Sequence, residues 1–324
     1  MSFLRLISLC IGVLVTCAPL AQAQDSFPNR SIRWIVPYAA GGGTDAVARI
    51  VASQMSQQMG QQVIVDNRPG GATIIAATTL ASSPPDGHTV LTTDNGTLVF
   101  NTALFSKLPY DPKKDLSPVG LMVRFPLVLV VRSDSSINNV RELIDEIRKQ
   151  PGKLNYATSG VGTPHHLAME MLKDRAKLDI VHVAYKGAAP GIQAVLSGEM
   201  PMMVVDTAAG MAMIKAGRIR VLATFSGVRL PSLQQVPTLK ELGYVDVEAA
   251  AWQGLVVPAA TPKGVIARLS DEMQKAINTP SVRTRLTDLG LELTPSDPAA
   301  MVELWNRDDN LWPKLIRDSN IKLD

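Results

Sequence analysis

The hydrophobic positions of this chain alternate between two spacings. Residues 32–36 form a short apolar run that stops at Pro37. The next segment carries Val47, Ile50, Val51, Met55 and Met59, a stripe at helical spacing. Residues 63–65 are apolar again and close at Asp66-Asn67-Arg68-Pro69-Gly70-Gly71. Residues 74–80 predict a small-residue helix, Pro84-Pro85-Asp86-Gly87 a turn, and 89–92 a third strand. Repeated strand–helix order predicts an α/β fold, a largely parallel sheet with helices on both faces.

The run 125–131 is longer and β-branched, and after it the pattern restarts. Val140, Leu143, Ile144 and Ile147 form an amphipathic helix that Pro151-Gly152 ends. Short strands are expected at 154–156, 180–183, 202–205 and 221–224, another at 254–257, and mostly helix from Pro262 onward. The order implies two domains. The first comprises 24–126 and 250–324, and the second 127–249. Segments near 125–131 and 249–257 cross between them. Two α/β lobes joined by two crossing strands close like a clam on a ligand.

Three strand–helix loops consist almost entirely of small residues: Pro37-Tyr38-Ala39-Ala40-Gly41-Gly42-Gly43-Thr44-Asp45, Thr158-Ser159-Gly160-Val161-Gly162-Thr163-Pro164, and Tyr185-Lys186-Gly187-Ala188-Ala189-Pro190. A helix start leaves backbone N–H groups without intrahelical partners and carries partial positive charge. Small residues let an anion approach those groups closely. The three loops are therefore expected to face one cleft and to grip an anion with backbone. Lys186 is their only cationic side chain. On this reading Gly42→Val or Gly162→Val abolishes binding, and Lys186→Met weakens it less.

The first residues point to a compartment. Arg5 precedes an apolar stretch, 6–20, and Ala21-Gln22-Ala23 follows as a cleavage site. Residues 1–23 read as a secretory signal peptide, with the mature chain beginning near Gln24 or Asp25 and delivered to the periplasm. Leu14-Val15-Thr16-Cys17 only faintly resembles a lipoprotein box, since Thr16 is a poor residue before a modified cysteine. Both cysteines, Cys10 and Cys17, lie inside this leader, so the mature chain has no thiol for a disulfide, a metal or catalysis. The formal charge of +3 includes Arg5, too weak a bias for nucleic acid.

Other chemistry finds thin support. Gly41-x-Gly43-x-x-Ala46, with Asp66 beyond, has the outline of a dinucleotide fingerprint, but Pro37-Tyr38-Ala39-Ala40 separates its first glycine from the strand. No Gly-x-Ser-x-Gly surrounds a serine nucleophile. Adjacent His165 and His166 point to different faces of a helix and are read as packed or polar helix residues. Met200, Met202, Met203, Met211 and Met213 are read as core filler rather than a copper site. Asp308-Asp309 reads as a solvated pair on a charged helix. Asp206 ends an apolar strand. It either faces the ligand crevice or caps the next helix. Trp252 either walls the cleft or packs the hinge.

The stretch from Ile32 to Asp45 resembles the opening signature of the Bug family, the extracytoplasmic solute receptors of tripartite tricarboxylate transporters. Asp66-Asn67-Arg68-Pro69-Gly70, Pro85-Asp86-Gly87, Leu108-Pro109-Tyr110-Asp111-Pro112, Leu154-Asn155-Tyr156-Ala157, Gly162-Thr163 and Tyr185-Lys186-Gly187 agree in order. The resemblance implies a two-lobed periplasmic-binding-protein fold, type II-like, that closes on a small organic carboxylate. It implies ligand contacts from Ala39, Ala40, Gly41, Gly42, Gly43, Thr44 and Asp45 in one lobe. From the other it implies Ser159, Gly162, Thr163, Lys186, Gly187, Ala188, Ala189 and Asp206. It implies no catalytic residue, metal or cofactor, a monomer, and membrane permease subunits as partners. The family usually has proline at Ala39 or Ala40 and often at Ala184, and a longer Gly-rich stretch after Pro69. The shortened loop changes the cleft's edge. Two alternatives remain: a receptor reporting to a membrane sensor kinase, and an exported α/β enzyme.

Overall fold

The computed structural model describes residues 27–318 and 321–323. The leader, with Cys10, Cys17 and its cleavage site, lies outside the described residues. Strand β1 (Ile32–Val36) is apolar because both of its faces are covered. Helix α1 (Gly43–Met59) buries Val47, Ile50, Val51 and Met55, while Met59 stays partly exposed. The left-handed Gly60 ends it. Then come β2 (Val63–Asn67), α2 (Ile74–Ala81) and β3 (Thr89–Thr93). A π-helical turn, Gly96–Phe100, and short helices α3 (Asn101–Leu104) and α4 (Pro112–Asp115) lead to β4 (Leu116–Arg132).

The second lobe contains α5 (Val140–Lys149), β5 (Asn155–Thr158), α6 (Pro164–Ala176), β6 (Val181–Ala184), α7 (Ala188–Ser197), β7 (Met202–Asp206), α8 (Thr207–Lys215) and β8 (Ile219–Thr224). The chain returns through β9 (Ala250–Pro258), α9 (Lys263–Asn278), α10 (Pro280–Asp288), β10 (Glu292–Leu293) and α11 (Pro298–Asp318).

Strands run in the order β2-β1-β3-β9-β4-β7-β5-β6, with β8 and β10 also paired to β4. The long β4 explains the two lobes. It pairs with β9 from Leu116 opposite Pro258 to Pro126 opposite Ala250, then with β7 from Leu127 opposite Asp206. The return passes Ala249, whose N–H donates to Phe225 O, while Phe225 N–H donates to Leu127 O. The expectation of a largely parallel sheet needs correction. The β1, β2 and β3 pairs are parallel, as are those of β5 with β6 and β7, but β9 is antiparallel to β3 and β4 is antiparallel to all four of its neighbours. Two strands crossing between lobes in opposite directions meet antiparallel at the centre.

One apolar core lies beneath both lobes and takes Trp305, Trp312 and Ile316 from α11. A second packs α1, α9 and α10 on the first lobe's sheet, and a third fills the outer face of the second lobe. Met200, Met202, Met203 and Met211 are buried in apolar surroundings and Met213 packs partly buried against them. Asp308 departs from its expected solvated state. It is buried and accepts from Trp252 Nε1 (2.8 Å) and Asn95 Nδ2 (3.2 Å). Its neighbour Asp309 pairs with Lys113 at 2.6 Å. No described helix is long and apolar enough to cross a membrane.

Behind the α6 loop, His166 and His182 stack with ring centroids 3.9 Å apart. Burial, with the Lys173 charge, pushes His166 down to about 4; burial, then the neighbouring His166 and the Lys173 charge, against Glu170, pushes His182 down to about 3. A base with a depressed folded pKa binds fewer protons than the unfolded chain. Its contribution is therefore complete above the unfolded value and fades as pH falls through the folded one. Stability should drop between about pH 6.5 and 3, by roughly 3 kcal/mol for His166 alone. Urea unfolding against pH checks this. His182→Gln should flatten the slope.

Candidate ligand cleft

The cavity between the lobes encloses about 750 Å³ including its mouth, a volume suited to a small molecule. Its first wall is the β1–α1 loop, contributing Tyr38, Ala39, Ala40, Gly42, Gly43 and Thr44. Gly42 is the N-cap of α1 and has no side chain to cap the helix. The first-turn N–H groups are thus left for another acceptor. The facing wall holds Ser159, His165, Lys186, Gly187, Ala188, Ala189 and Asp206. Here too the N-cap of α7, Gly187, carries no capping side chain, and its φ of +109° favours glycine. Its own N–H donates to Ser159 O, tying the two second-lobe loops together. Thr92, Asp94, Phe125, Ala251, Trp252 and Gln253 form the floor along the crossing strands.

Gly41, Asp45, Gly162 and Thr163 do not line this cavity, contrary to the sequence reading. Asp45 accepts from Gly41 N–H (3.0 Å), Arg49 (3.0 Å) and Asn67 (2.9 Å), so it folds the loop from behind. Burial opposes its ionisation, but those bonds hold it below the ordinary carboxylate range. The third helix start is already capped. Thr163 accepts from His166 N–H, Pro164 has no N–H, and Gly162 N–H donates to His166 Nδ1 at 3.1 Å. A Cβ on Gly162 would collide with Leu104 Cδ1, which places Gly162 against the first lobe's rim. Gly42 also departs from expectation. A Cβ there meets only Ala39 O, at 3.8 Å. The sensitive position is Gly43, where a Cβ would lie 2.7 Å from Asp206 Oδ1 and 2.9 Å from Ala208 Cβ across the cleft.

Asp206 fulfils both sequence readings. It caps α8 by accepting from Ala209 N–H at 2.8 Å, and it lines the cavity. Its other oxygen bonds His165 Nε2 at 3.2 Å, and His165 Nδ1 bonds Ser159 Oγ at 2.8 Å. Trp252 both walls the cavity and anchors the hinge through Asp308. Asp66 pairs with Arg33 and Arg68, which accounts for the ribose-like acid of the dinucleotide outline.

Sequence reasoning assigns no ligand contact to Tyr38, Asp94, His165, Phe125 or Gln253, yet all five line the cavity. Asp94 directly follows β3 and Asp206 is the last residue of β7, so the strand-end rule applied to Asp206 also points to it. Tyr38 OH donates to Asp94, whose Oδ1 accepts from Thr97 N–H and Oγ. Burial first, then the Asp94 and Asp206 charges, push the Tyr38 phenol well above its ordinary value, so it remains a donor to Asp94. Phe125 and Gln253 reach the cavity only because β4 and β9 cross there. Among the described residues no cluster of three or more His, Cys, Asp or Glu is arranged to hold a metal.

A two-lobed α/β fold, with its cavity at the crossing strands and two bare helix starts facing inward, is that of a periplasmic solute-binding receptor. Residues 47–321 match the model of the tripartite tricarboxylate transporter family receptor, and the chain belongs to that family. It is 38% identical over 304 residues to a UPF0065 protein in the tcbD-tcbE intergenic region of Pseudomonas sp. strain P51, covering 94% of this chain and 90% of that one. Three solved structures are similar throughout. The periplasmic binding protein BugD is 30% identical with a TM-score of 0.87, covering 91% of this chain and 99% of that one. Rpa4515 of R. palustris, solved with adipate, is 30% identical with a TM-score of 0.88 over the same shares. MatC of Rhodopseudomonas palustris, with bound malate, is 31% identical with a TM-score of 0.84, covering 90% and 100%.

Proposed function

We propose that this protein captures a small organic carboxylate between its lobes in the periplasm and delivers it to a tripartite tricarboxylate-type permease. The observation that carries the reading is the convergence of the uncapped starts of α1 and α7 on one cavity. Adipate and malate in the related structures support a carboxylate as ligand. Ala39, Ala40, Gly42, Gly43, Thr44, Ser159, Lys186, Gly187, Ala188, Ala189 and Asp206 are the proposed contacts. Gly41, Asp45, Gly162 and Thr163 shape the loops around them. The lobes divide as 24–126 with 250–324, and 127–249. Residues 1–23 act as the cleaved leader.

A panel of mono-, di- and tricarboxylates, amino acids and aromatic acids tests this by thermal shift. A true ligand at 100 times its dissociation constant adds about 2.7 kcal/mol. No stabilisation by any carboxylate would refute the reading. Lys186→Met should weaken the best ligand by less than about tenfold, since an exposed ion pair contributes only about 0–1 kcal/mol. Calorimetric titration measures this. If Lys186→Met abolishes binding, a lysine–carboxylate pair replaces the backbone as the main anchor.

The Ser159–His165–Asp206 chain favours a second reading, hydrolysis of an ester in the cleft. A neutral His165 that donates from Nε2 to Asp206 accepts from the serine at Nδ1, the sense a general base requires. The family and its structural neighbours are binding proteins. Turnover of a p-nitrophenyl ester that Ser159→Ala removes would favour the enzyme.

A further inference from the structure

The cavity separates its hydrogen-bond donors from its acceptors. The donors are the first-turn N–H groups of α1 and α7, with the Lys186 ammonium exposed at the edge. The acceptors lie deeper. Asp94 and Asp206 are only 7% and 6% exposed, and both line the cavity.

Their remaining bonding capacity can be counted. An ionised carboxylate has about four lone-pair sites and no donor. Asp94 uses three, for Tyr38 OH, Thr97 N–H and Thr97 Oγ. Asp206 uses two, for Ala209 N–H and His165 Nε2. Among the neighbouring polar groups Gln253 Oε1 is a buried acceptor without a partner, and the Thr92 hydroxyl, which accepts from Trp34 Nε1 and Gln253 Nε2, keeps one hydrogen to give. The Tyr38 hydroxyl already spends its one hydrogen in the bond to Asp94. Ser159 Oγ is engaged with His165 Nδ1 at 2.8 Å, and His165 Nε2 with Asp206 at 3.2 Å. This wall can therefore receive protons from a ligand but offers few in return.

Resting on the carboxylate-receptor reading, we propose that the ligand is a carboxylate bearing a hydrogen-bond donor, an amine or a hydroxyl, at its other end. The carboxylate meets the helix starts, and the donor group meets Asp206 and Asp94. Phe125, Trp252 and Ala251 flank the space between and suit an apolar or aromatic spacer. A second carboxylate at that end would face two buried carboxylates. Like charges in a poorly solvated site repel, and neither could be satisfied without taking up a proton.

Three probes of equal chain length separate the possibilities: 5-aminopentanoate, 5-hydroxypentanoate and glutarate. The aromatic set 4-aminobenzoate, 4-hydroxybenzoate and terephthalate repeats the comparison with a rigid spacer. Calorimetry on ligand-stripped full-length mature protein should show, in at least one set, an amino or hydroxy member binding at least tenfold tighter than its dicarboxylate. Asp206→Asn keeps the helix-capping oxygen and removes the charge. It should reduce that preference at least tenfold. Asp94→Asn, which retains an oxygen for Thr97, gives an independent variant if the first fails to fold. A dicarboxylate that binds tightest in wild type overturns the inference and leaves the carboxylate-receptor reading intact. Preference unchanged in a folded Asn variant also overturns it. Failure of every carboxylate, including the broader panel, overturns both.

Discussion

Gly43→Ala should lower affinity at least a hundredfold while the protein stays folded, and Gly42→Ala, one residue away, should change it less than about threefold. The chemical change is the same at both positions. At Gly43 the new methyl points across the cleft, 2.7 Å from Asp206 Oδ1, 2.9 Å from Ala208 Cβ and 3.2 Å from Phe125 Cε1. The Ala208 methyl cannot swing away without moving α8. The closed lobes must therefore part, and the ligand loses the facing wall. A hundredfold loss corresponds to about 2.7 kcal/mol, a modest demand for a wedge at backbone distance. Fold stability should change little, because alanine in a helix is favoured over glycine by about 1 kcal/mol, which offsets part of the clash. At Gly42 the backbone is at φ −84°, ordinary for any residue, and the nearest atom is Ala39 O at 3.8 Å. Calorimetric titration with circular dichroism on both variants decides the matter. Equal affinities would show that the lobes do not need this close approach.

The second large effect concerns the hinge. Asp308→Ala should destabilise the protein by about 3 kcal/mol, because it leaves Trp252 Nε1–H buried without its acceptor and the Asn95 amide with only a long bond to Ala250 O. The melting temperature should fall by roughly 6 to 12 °C. Binding should weaken as well, since Trp252 walls the cavity and Asn95 Oδ1 accepts from Trp252 N–H at 3.2 Å. Asp308→Asn should behave differently. Burial raises the Asp308 pKa above the ordinary value, against the lowering effects of Trp252, Arg307 and Asn95. An acid with a raised folded pKa contributes stability below its unfolded pKa and loses that contribution as pH rises through the folded one. Asparagine resembles the protonated form and keeps an oxygen for both donors. It should match or exceed wild-type stability at neutral pH and remove this part of the pH dependence. Thermal unfolding of the three proteins from pH 4 to 8 tests both statements. An Asp308→Asn variant as unstable as Asp308→Ala would mean that the charge itself holds α11.

Much of the molecule is legible in the order of its residues. The apolar runs ending at Pro37 and Asp206 mark β1 and β7 because a strand covered on both faces must be apolar throughout, and the shorter run ending at Asp66 marks the edge strand β2, where Ile64 stays exposed. The α1 stripe and the amphipathic α5 follow from helical spacing. The loops before α1 and α7 announce themselves by their small residues, with Tyr38, Tyr185 and Lys186 the large side chains among them.

What stays hidden depends on partners distant in sequence. The sequence marks 125–131 as a crossing with the lobe boundary at 126/127, but nothing local says that the strand already begins at Leu116 or that it exchanges β9 for β7 at that boundary. The α6 loop has the same small-residue composition as the other two, but Thr163 and His166 consume its free groups. Asp308 sits beside Asp309 on a charged helix, and only the packing of α11 on the hinge buries it. Residue order alone therefore determined the α/β class and the two-lobed plan and pointed to the backbone anion grip proposed above, since these rest on local periodicity and loop chemistry. The tertiary structure decided which two helix starts share the cavity, that Gly43 rather than Gly42 is the close approach, and that Asp94 and Asp206 both line it. Those facts arise where strands far apart in the chain pack side by side, and no local pattern records such a meeting.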